Sequence, residues 1–194
     1  KIINREDDDS REILKRLLLK RKQIIHKAEN KKSIFEDILK EHREKTGSLK
    51  YTLVYVPEGN QPDDQGADVF DTIERIKDDE DTIHLINEYT RIVRDVDSHI
   101  VVRQFTSEST DRDAILADFA KGNIDVLTSM KCLDEGVDVP RSEFAIFCAS
   151  TGNPRQFIQR RGRVLRTHND KRFAIIHDLV VIPQINFDPD CYEL

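Results

Sequence analysis

From residue 99 onward, short β-branched runs alternate with helix-like runs at a regular spacing, and few folds accommodate that rhythm. HIVVRQF (99–105), IDVLTS (124–129), FAIFCAS (144–150) and FAIIHDL (173–179) read as strands. Between them, residues 110–121 read as helix and residues 131–136 as a short helix or loop, and Asn153 caps a further helix with Pro154 in its first turn. An earlier run, LKYTLVYV (49–56), has the texture of a strand buried on both faces. Strands that alternate with helices pair in parallel, because each return connection needs about a dozen residues and lays a helix on the sheet. The expected fold class is therefore α/β, a parallel sheet flanked by helices.

Upstream of the first strand the periodicity is helical. Ser10 caps a helix through Ile13, Leu14, Leu17, Leu18, Ile24 and Ile25. A second helix from Ser33 places Ile34, Phe35, Ile38 and Leu39 on one face, and Gly47 stops it. The chain thus divides into a helical extension (1–47), an α/β domain (48–182) and a tail (183–194). The loop-like PEGNQPDDQGAD (57–68) opens an acidic insertion spanning about residues 58–85, with DDED at 78–81. Four carboxylates in a row suit a metal ion, but no apolar strand precedes them, and a solvated acidic loop or helix start fits better. The chain starts at Lys1 inside a charged, helix-like stretch, so it reads as a piece of something longer.

Charge and composition narrow the function. A net charge of −6 argues against a protein that coats nucleic acid with its whole surface. No Trp and 7% aromatic residues argue against broad base-stacking platforms. No apolar run approaches the ~18 residues of a membrane span, and no signal peptide is visible. Cys132, Cys148 and Cys191 lie far apart, without CxxC spacing or an even disulfide set, so an intracellular setting is expected. His26, His42, His84, His99, His168 and His177 show no ligand spacing, and no metal site is expected within the chain.

Parallel sheets hold ligands at the carboxyl ends of their strands, which directs attention to two loops. LDEGVDVP (133–140) follows IDVLTS, and TGNPRQFIQRRGRVLR (151–166) follows FAIFCAS. Arg160, Arg161, Arg163 and Arg166 crowd four guanidinium groups into seven residues, an arrangement expected to be relieved by an anion during part of a working cycle. If the helix runs through Gly162, then Gln159, Arg163 and Arg166 share one face, with Phe157, Ile158, Val164 and Leu165 buried opposite. If Gly162 ends it, Arg163 and Arg166 lie on a loop. Either way two arginines are presented, and their planar forks suit phosphate oxygens. In the first loop, Gly136 permits a tight turn and Asp138 projects just before Val139-Pro140. Such a carboxylate either accepts from ribose hydroxyls or caps its own turn. On charge alone, a solvated basic helix or a generic nucleic-acid patch stays open.

In their order and spacing, TLVYVPE (52–58), VLTSMKCLDEGVDVP (126–140) and QFIQRRGRVLR (156–166) resemble motifs IV, V and VI of superfamily 2 helicases. The texture is closest to DEAH-like DNA helicases and translocases of the restriction and repair type, and the resemblance covers roughly residues 49–180. It implies a RecA-like domain, the C-terminal one of two that sandwich ATP with Mg²⁺. By position it implies Arg163 and Arg166 as catalytic arginine fingers. Gln159, Gly136 and Asp138 take ATP-binding positions, with Asp138 near the ribose. Gln104, Thr106, Ser107, Thr128, Ser129 and Lys131 take nucleic-acid-contacting positions. The family's Ser or Thr six residues before the motif V glycine is Met130 here, leaving Ser129 or Lys131 as substitutes.

The sequence holds no GxxxxGK[ST] and no Asp-Glu pair closing an apolar strand. The P-loop and the magnesium-holding acids are therefore expected in an N-terminal RecA-like domain of the same polypeptide, with residues 1–47 as the linker from it and the helices of 1–45 packing beside the sheet. The expected protein is a DNA helicase or translocase, RNA being the alternative substrate, and the fragment alone is expected to be a monomer inactive as an ATPase. A competing expectation is a non-catalytic nucleic-acid or protein binding module that keeps the same fold.

Overall fold

The computed structural model describes residues 13–14, 16–18, 20–21, 24–28, 30–57, 72–106, 108–130, 138–148 and 154–182. Five strands, β1 (Thr52–Tyr55), β2 (Val102–Phe105), β3 (Val126–Ser129), β4 (Phe144–Phe147) and β5 (Ile175–Asp178), form one sheet in the order β2-β3-β1-β4-β5. Every pairing is parallel, with Thr52 in register with Val126 on one side and Phe144 on the other. The three central strands are buried at every position, while the edge strands β2 and β5 are partly exposed. Burial on both faces explains their unbroken apolar texture, and the α/β expectation holds.

Among the described residues, the sheet is covered by α1 (Asn30–Thr46), α2 (Thr72–Val96), α3 (Arg112–Lys121) and α4 (Pro154–Val164). On one face, Val54, Val126, Phe144 and Ile146 pack under Phe35 and Leu39 of α1 and Leu85, Ile86, Tyr89 and Val93 of α2. On the other, Leu53, Tyr55, Leu127, Ala145 and Phe147 pack under Phe119 of α3 and Val164 of α4. The strict alternation along β1, with Leu53 and Tyr55 to one side and Val54 to the other, follows from the two-residue repeat of a strand. Each fully buried large apolar side chain contributes about 1.5–3 kcal/mol.

Local signals set the helix ends. In α1, Phe35 and Leu39 at i, i+4 are fully buried, whereas Ile34 is turned outward. Gly47, at φ +75°, ends that helix by donating its N–H to the Arg43 carbonyl (2.7 Å). Gly122 ends α3 at φ +78°, and a Cβ there would stand 2.8 Å from the Tyr51 hydroxyl. The left-handed backbone favours glycine there, and a larger residue would also push the tip of the Tyr51 side chain aside.

Two expectations need correction. The DDED run lies inside α2, which starts at Thr72, and not in a loop or at a helix start. Leu85, Ile86, Tyr89 and Val93 anchor the carboxyl half of this helix, and propagation upstream gains one hydrogen bond per residue once a helix is nucleated. The apolar residues ahead of α1 do not pack beside the sheet: Ile13, Leu14, Leu17, Leu18 and Ile24 are each more than half exposed. Residues 58–71, 131–137 and 183–194 lie outside the described residues, and with them most of the loop part of the insertion, the 131–136 segment and the tail.

Candidate functional site

The arginine-rich helix settles one alternative. α4 runs unbroken through Gly162 to Val164, and a Cβ at Gly162 would meet nothing within 4 Å. The Leu165 N–H still bonds the Arg161 carbonyl (2.9 Å), and the Arg166 N–H reaches Arg163 (3.4 Å) in a tightened last turn. Arg163 is therefore on the helix and Arg166 just beyond it.

The helix does not sit as expected, however. Of the four residues expected to be buried only Val164 is; Phe157, Ile158 and Leu165 are 45%, 68% and 57% exposed. The side facing the sheet is instead shared by Val164 and, four residues earlier, Arg160, which is 6% exposed. The reason lies beneath: Tyr55 and Phe147, their rings stacked at 4.4 Å, form an aromatic floor. Aromatic faces accept guanidinium groups. Arg160 lies 5.9 Å from the Tyr55 centroid, and Arg161 lies 5.1 Å from that of Phe147 and 3.0 Å from that of Phe157. Arg161 also donates to the Asp178 carboxylate at the end of β5. Arg160 and Arg161 thus anchor the helix, while Arg163 is half-buried, and Gln159 and Arg166 are exposed.

Arg166 meets Asp138 across 28 residues of chain, its Nη1 donating to the Asp138 Oδ2. The structure thus brings together the ends of the two segments singled out by sequence. Their crowded positive charge is offset by Asp178 and Asp138, carboxylates of the chain itself. With side chains 55% and 42% exposed, the Arg166–Asp138 pair contributes only about 0.2–1 kcal/mol.

The pair is held from behind by Lys171, which the sequence reading did not single out. Its Nζ donates to three carbonyls: Pro140 (3.1 Å), Arg166 (3.0 Å) and Val164. Burial lowers its pKa, opposed by the nearby Glu143 carboxylate and reinforced by Arg141. A lysine shortly after a helix end, where carbonyls lack intrahelical partners, is the signal that would have revealed it. This constellation lies six residues ahead of β4 at Asp138 and four ahead of β5 at Lys171, toward the amino ends of those strands. The rule of carboxyl-end loops pointed to these two segments, but the residues that pair stand at the far end of each crossover.

The nucleic-acid-contacting positions are scattered. Thr128 and Ser129 are fully buried, and the Thr128 hydroxyl is spent on Thr90 (Oγ1 to Oγ1, 3.0 Å), so neither side chain faces a phosphate. This corrects their expected role, and the physical reason is that both belong to a central strand covered on both faces. Met130 is also buried. Gln104 is half-buried, its amide donating to Asn87 Oδ1 (2.8 Å) and Thr90 Oγ1 (3.1 Å). The Thr106 N–H donates to Ser109 Oγ (3.0 Å). Asn87, Arg94, Arg103, Gln104 and Thr110 line an open groove beside the edge strand β2. Ser107, Lys131 and Gly136 lie outside the described residues.

One more cation was missed. Lys31, at the start of α1, is buried and donates to the Cys148 carbonyl (2.9 Å) at the end of β4, and burial lowers its pKa. Cys148 itself is a free, fully buried thiol whose pKa burial raises, which marks it as core.

A five-stranded parallel sheet under helices on both faces is the RecA-like architecture of helicase C-terminal domains. The family described as the helicase conserved C-terminal domain matches residues 69–168, and the chain belongs to that family. The DNA 3'-5' translocase XPB2 of Sulfurisphaera tokodaii is 39% identical over 77 residues, 40% of this chain and 17% of that protein. The putative DNA 3'-5' helicase Rad25 of Haloarcula marismortui is 33% identical over 66 residues, 34% of this chain and 11% of that protein. The chain thus spans less than a fifth of the length of these relatives. A fragment of a putative HsdR subunit of a type I restriction enzyme from Vibrio vulnificus YJ016 superposes with a TM-score of 0.59 at 18% identity, over 80% of this chain and 28% of that one. Identity that low shows the fold alone. Among the described residues no helix is long and apolar enough to cross a membrane.

Proposed function

We propose that this chain is the C-terminal motor domain of an ATP-dependent DNA helicase or translocase, working against an N-terminal RecA-like domain of the same polypeptide. The observation that carries the reading is the Asp138–Arg166 pair. It sets a carboxylate beside a guanidinium at the end of an anchored helix, 28 residues apart in sequence. The pair fits a nucleoside triphosphate: a guanidinium fork donates to phosphate oxygens and a carboxylate accepts from ribose hydroxyls.

ATP with Mg²⁺, once held mainly by the facing domain, supplies the phosphoryl group whose transfer to water drives the motor. Arg166 exchanges Asp138 for phosphate oxygens, and with Arg163 it stabilises charge developing in the transition state. Asp138, released, accepts from the ribose, while Gln159 and Gly136 complete the contacts to the nucleotide. Gln104 and Thr106 meet the nucleic-acid backbone near the β2 edge, and Ser107 and Lys131 are assigned the same role by their motif positions alone. DNA is favoured over RNA because the curated relatives are named DNA translocase and DNA helicase. With no P-loop in its sequence, the chain alone is inactive as an ATPase; we propose further that it is a monomer and, from its widely spaced cysteines, that its setting is intracellular.

The test is ATP hydrolysis by the longer polypeptide beside the 194-residue chain, with and without single-stranded DNA. DNA-stimulated hydrolysis by the longer protein alone supports the motor. A silent longer protein, with tight nucleic-acid or protein binding by the chain, turns the reading into that of a binding module.

A further inference from the structure

We infer that Lys171 is a positioning residue, whose ammonium group sets the geometry in which Arg166 is presented. The inference rests on the nucleotide role proposed for Arg166 above. An ammonium has three N–H donors, and here all three find backbone carbonyls, those of Pro140, Val164 and Arg166. Val164 is the last residue of α4, and Arg166 is the arginine in question. Pro140 follows Asp138 by two residues. One side chain therefore ties together the two backbone segments that carry the two members of the ion pair.

The side-chain pair is too exposed to fix that spacing by itself, since such pairs contribute little. The Lys171 contacts are different in kind. They satisfy helix-end carbonyls that lack intrahelical partners, and they place a cation at the negative end of the helix dipole. Lys171 is itself fixed by a turn, its N–H bonding the His168 carbonyl (3.0 Å) and the Asp170 N–H reaching His168 Nδ1 (3.3 Å). When Arg166 changes partner from Asp138 to a phosphate, its backbone stays where Lys171 holds it. Misplacement of a reacting group by about 1 Å costs on the order of 10²-fold in rate. Arginine is no substitute here, because a planar fork does not address three carbonyls converging on one point.

The experiment is a double-mutant cycle on DNA-stimulated ATPase activity of the full-length polypeptide, using Lys171→Met, Arg166→Ala and both together. Lys171→Met is expected to lower kcat by about 10²-fold with KM changed less than about threefold. In the double variant the losses do not multiply: kcat matches that of Arg166→Ala alone. Multiplying losses overturn the inference, because they assign Lys171 a merely structural role. So does a kcat for Lys171→Met within threefold of wild type. Lys171→Arg keeps the charge at the helix end, and it carries the same cycle if Lys171→Met does not fold, with the same loss expected. Near-normal kcat in Arg166→Ala sinks the finger reading itself. Impaired Arg166→Ala beside normal Lys171 variants sinks only the inference about Lys171.

Discussion

The two faces of the sheet are built on different terms. Under α1 and α2 the interface is mainly apolar, with Phe35, Leu39, Tyr89 and Val93 closing over Val54 and Ile146, and its buried Lys31 and Thr90–Thr128 pair are hydrogen-bonded within it. Under α4 the floor is aromatic, and what lies on it is largely arginine: Arg160 over Tyr55, Arg161 over Phe147. Phe157, Ile158 and Leu165 are left exposed. The first face stores stability. The second uses charge to hold a helix without burying its outer side, which leaves Gln159, Arg166 and Asp138 exposed and Arg163 half-buried. A helix covered on all sides would present nothing.

If that division is right, substitutions on the two faces fail in different assays. The largest effect is expected from Arg166→Ala, which should lower ATP turnover of the full-length protein by about 10³-fold or more while altering nucleotide binding much less. Steady-state kinetics check this, and turnover within threefold of wild type removes the finger assignment. Phe35→Ala, on the opposite face, should destabilise the domain by about 3–5 kcal/mol through transfer and cavity costs. Denaturant titration measures it; a loss below about 1 kcal/mol would show that the α1 interface is not where stability resides.

Asp138→Ala sharpens the contrast. Its stability effect should stay below about 1 kcal/mol, as for other exposed ion pairs. Nucleotide affinity of the full-length protein should fall by roughly fivefold, the worth of about one hydrogen bond. An unchanged Kd would reject the ribose role and leave Asp138 as a counterion only.

The smallest effect concerns Lys31, buried on the apolar face. Its pKa in the folded chain is lowered from the ordinary 10.5, chiefly by burial. Between that lowered value and 10.5 the unfolded chain binds a proton that the folded chain does not, so this group's contribution to stability rises with pH across the window. Tyr89 and Cys148, whose pKa values are raised by burial, pull the other way. The difference in melting behaviour between wild type and Lys31→Met isolates the lysine. A wild-type advantage that grows from neutral pH toward 10.5 is expected, and a flat difference would assign Lys31 no titrating role.

Much of this molecule is local, and local features are legible in a sequence. The two-residue repeat of β1 and β4, the i, i+4 pair Phe35 and Leu39, and the stop at Gly47 depend on neighbours a few residues away. The order of GVDVP and QRRGRVLR likewise marks the family without coordinates. The start of α2 was misjudged because composition, read as loop, is overridden once a packed half-helix makes upstream propagation favourable. Thr128 and Ser129 were misjudged because spacing cannot say whether a hydroxyl on a strand faces solvent or a covering helix.

What only the tertiary structure decided are contacts between distant segments. Which arginines of α4 anchor and which are presented depends on Tyr55 and Phe147, roughly a hundred and about a dozen residues upstream. The meeting of Arg166 with Asp138, and the three carbonyls gathered by Lys171, exist only where β4, β5 and the end of α4 converge. Periodicity determines which face of an element is buried; it carries no information about which other element that face will find. Packing supplies that, and with it the difference between an arginine that holds a helix from beneath and one that stands on its outer side.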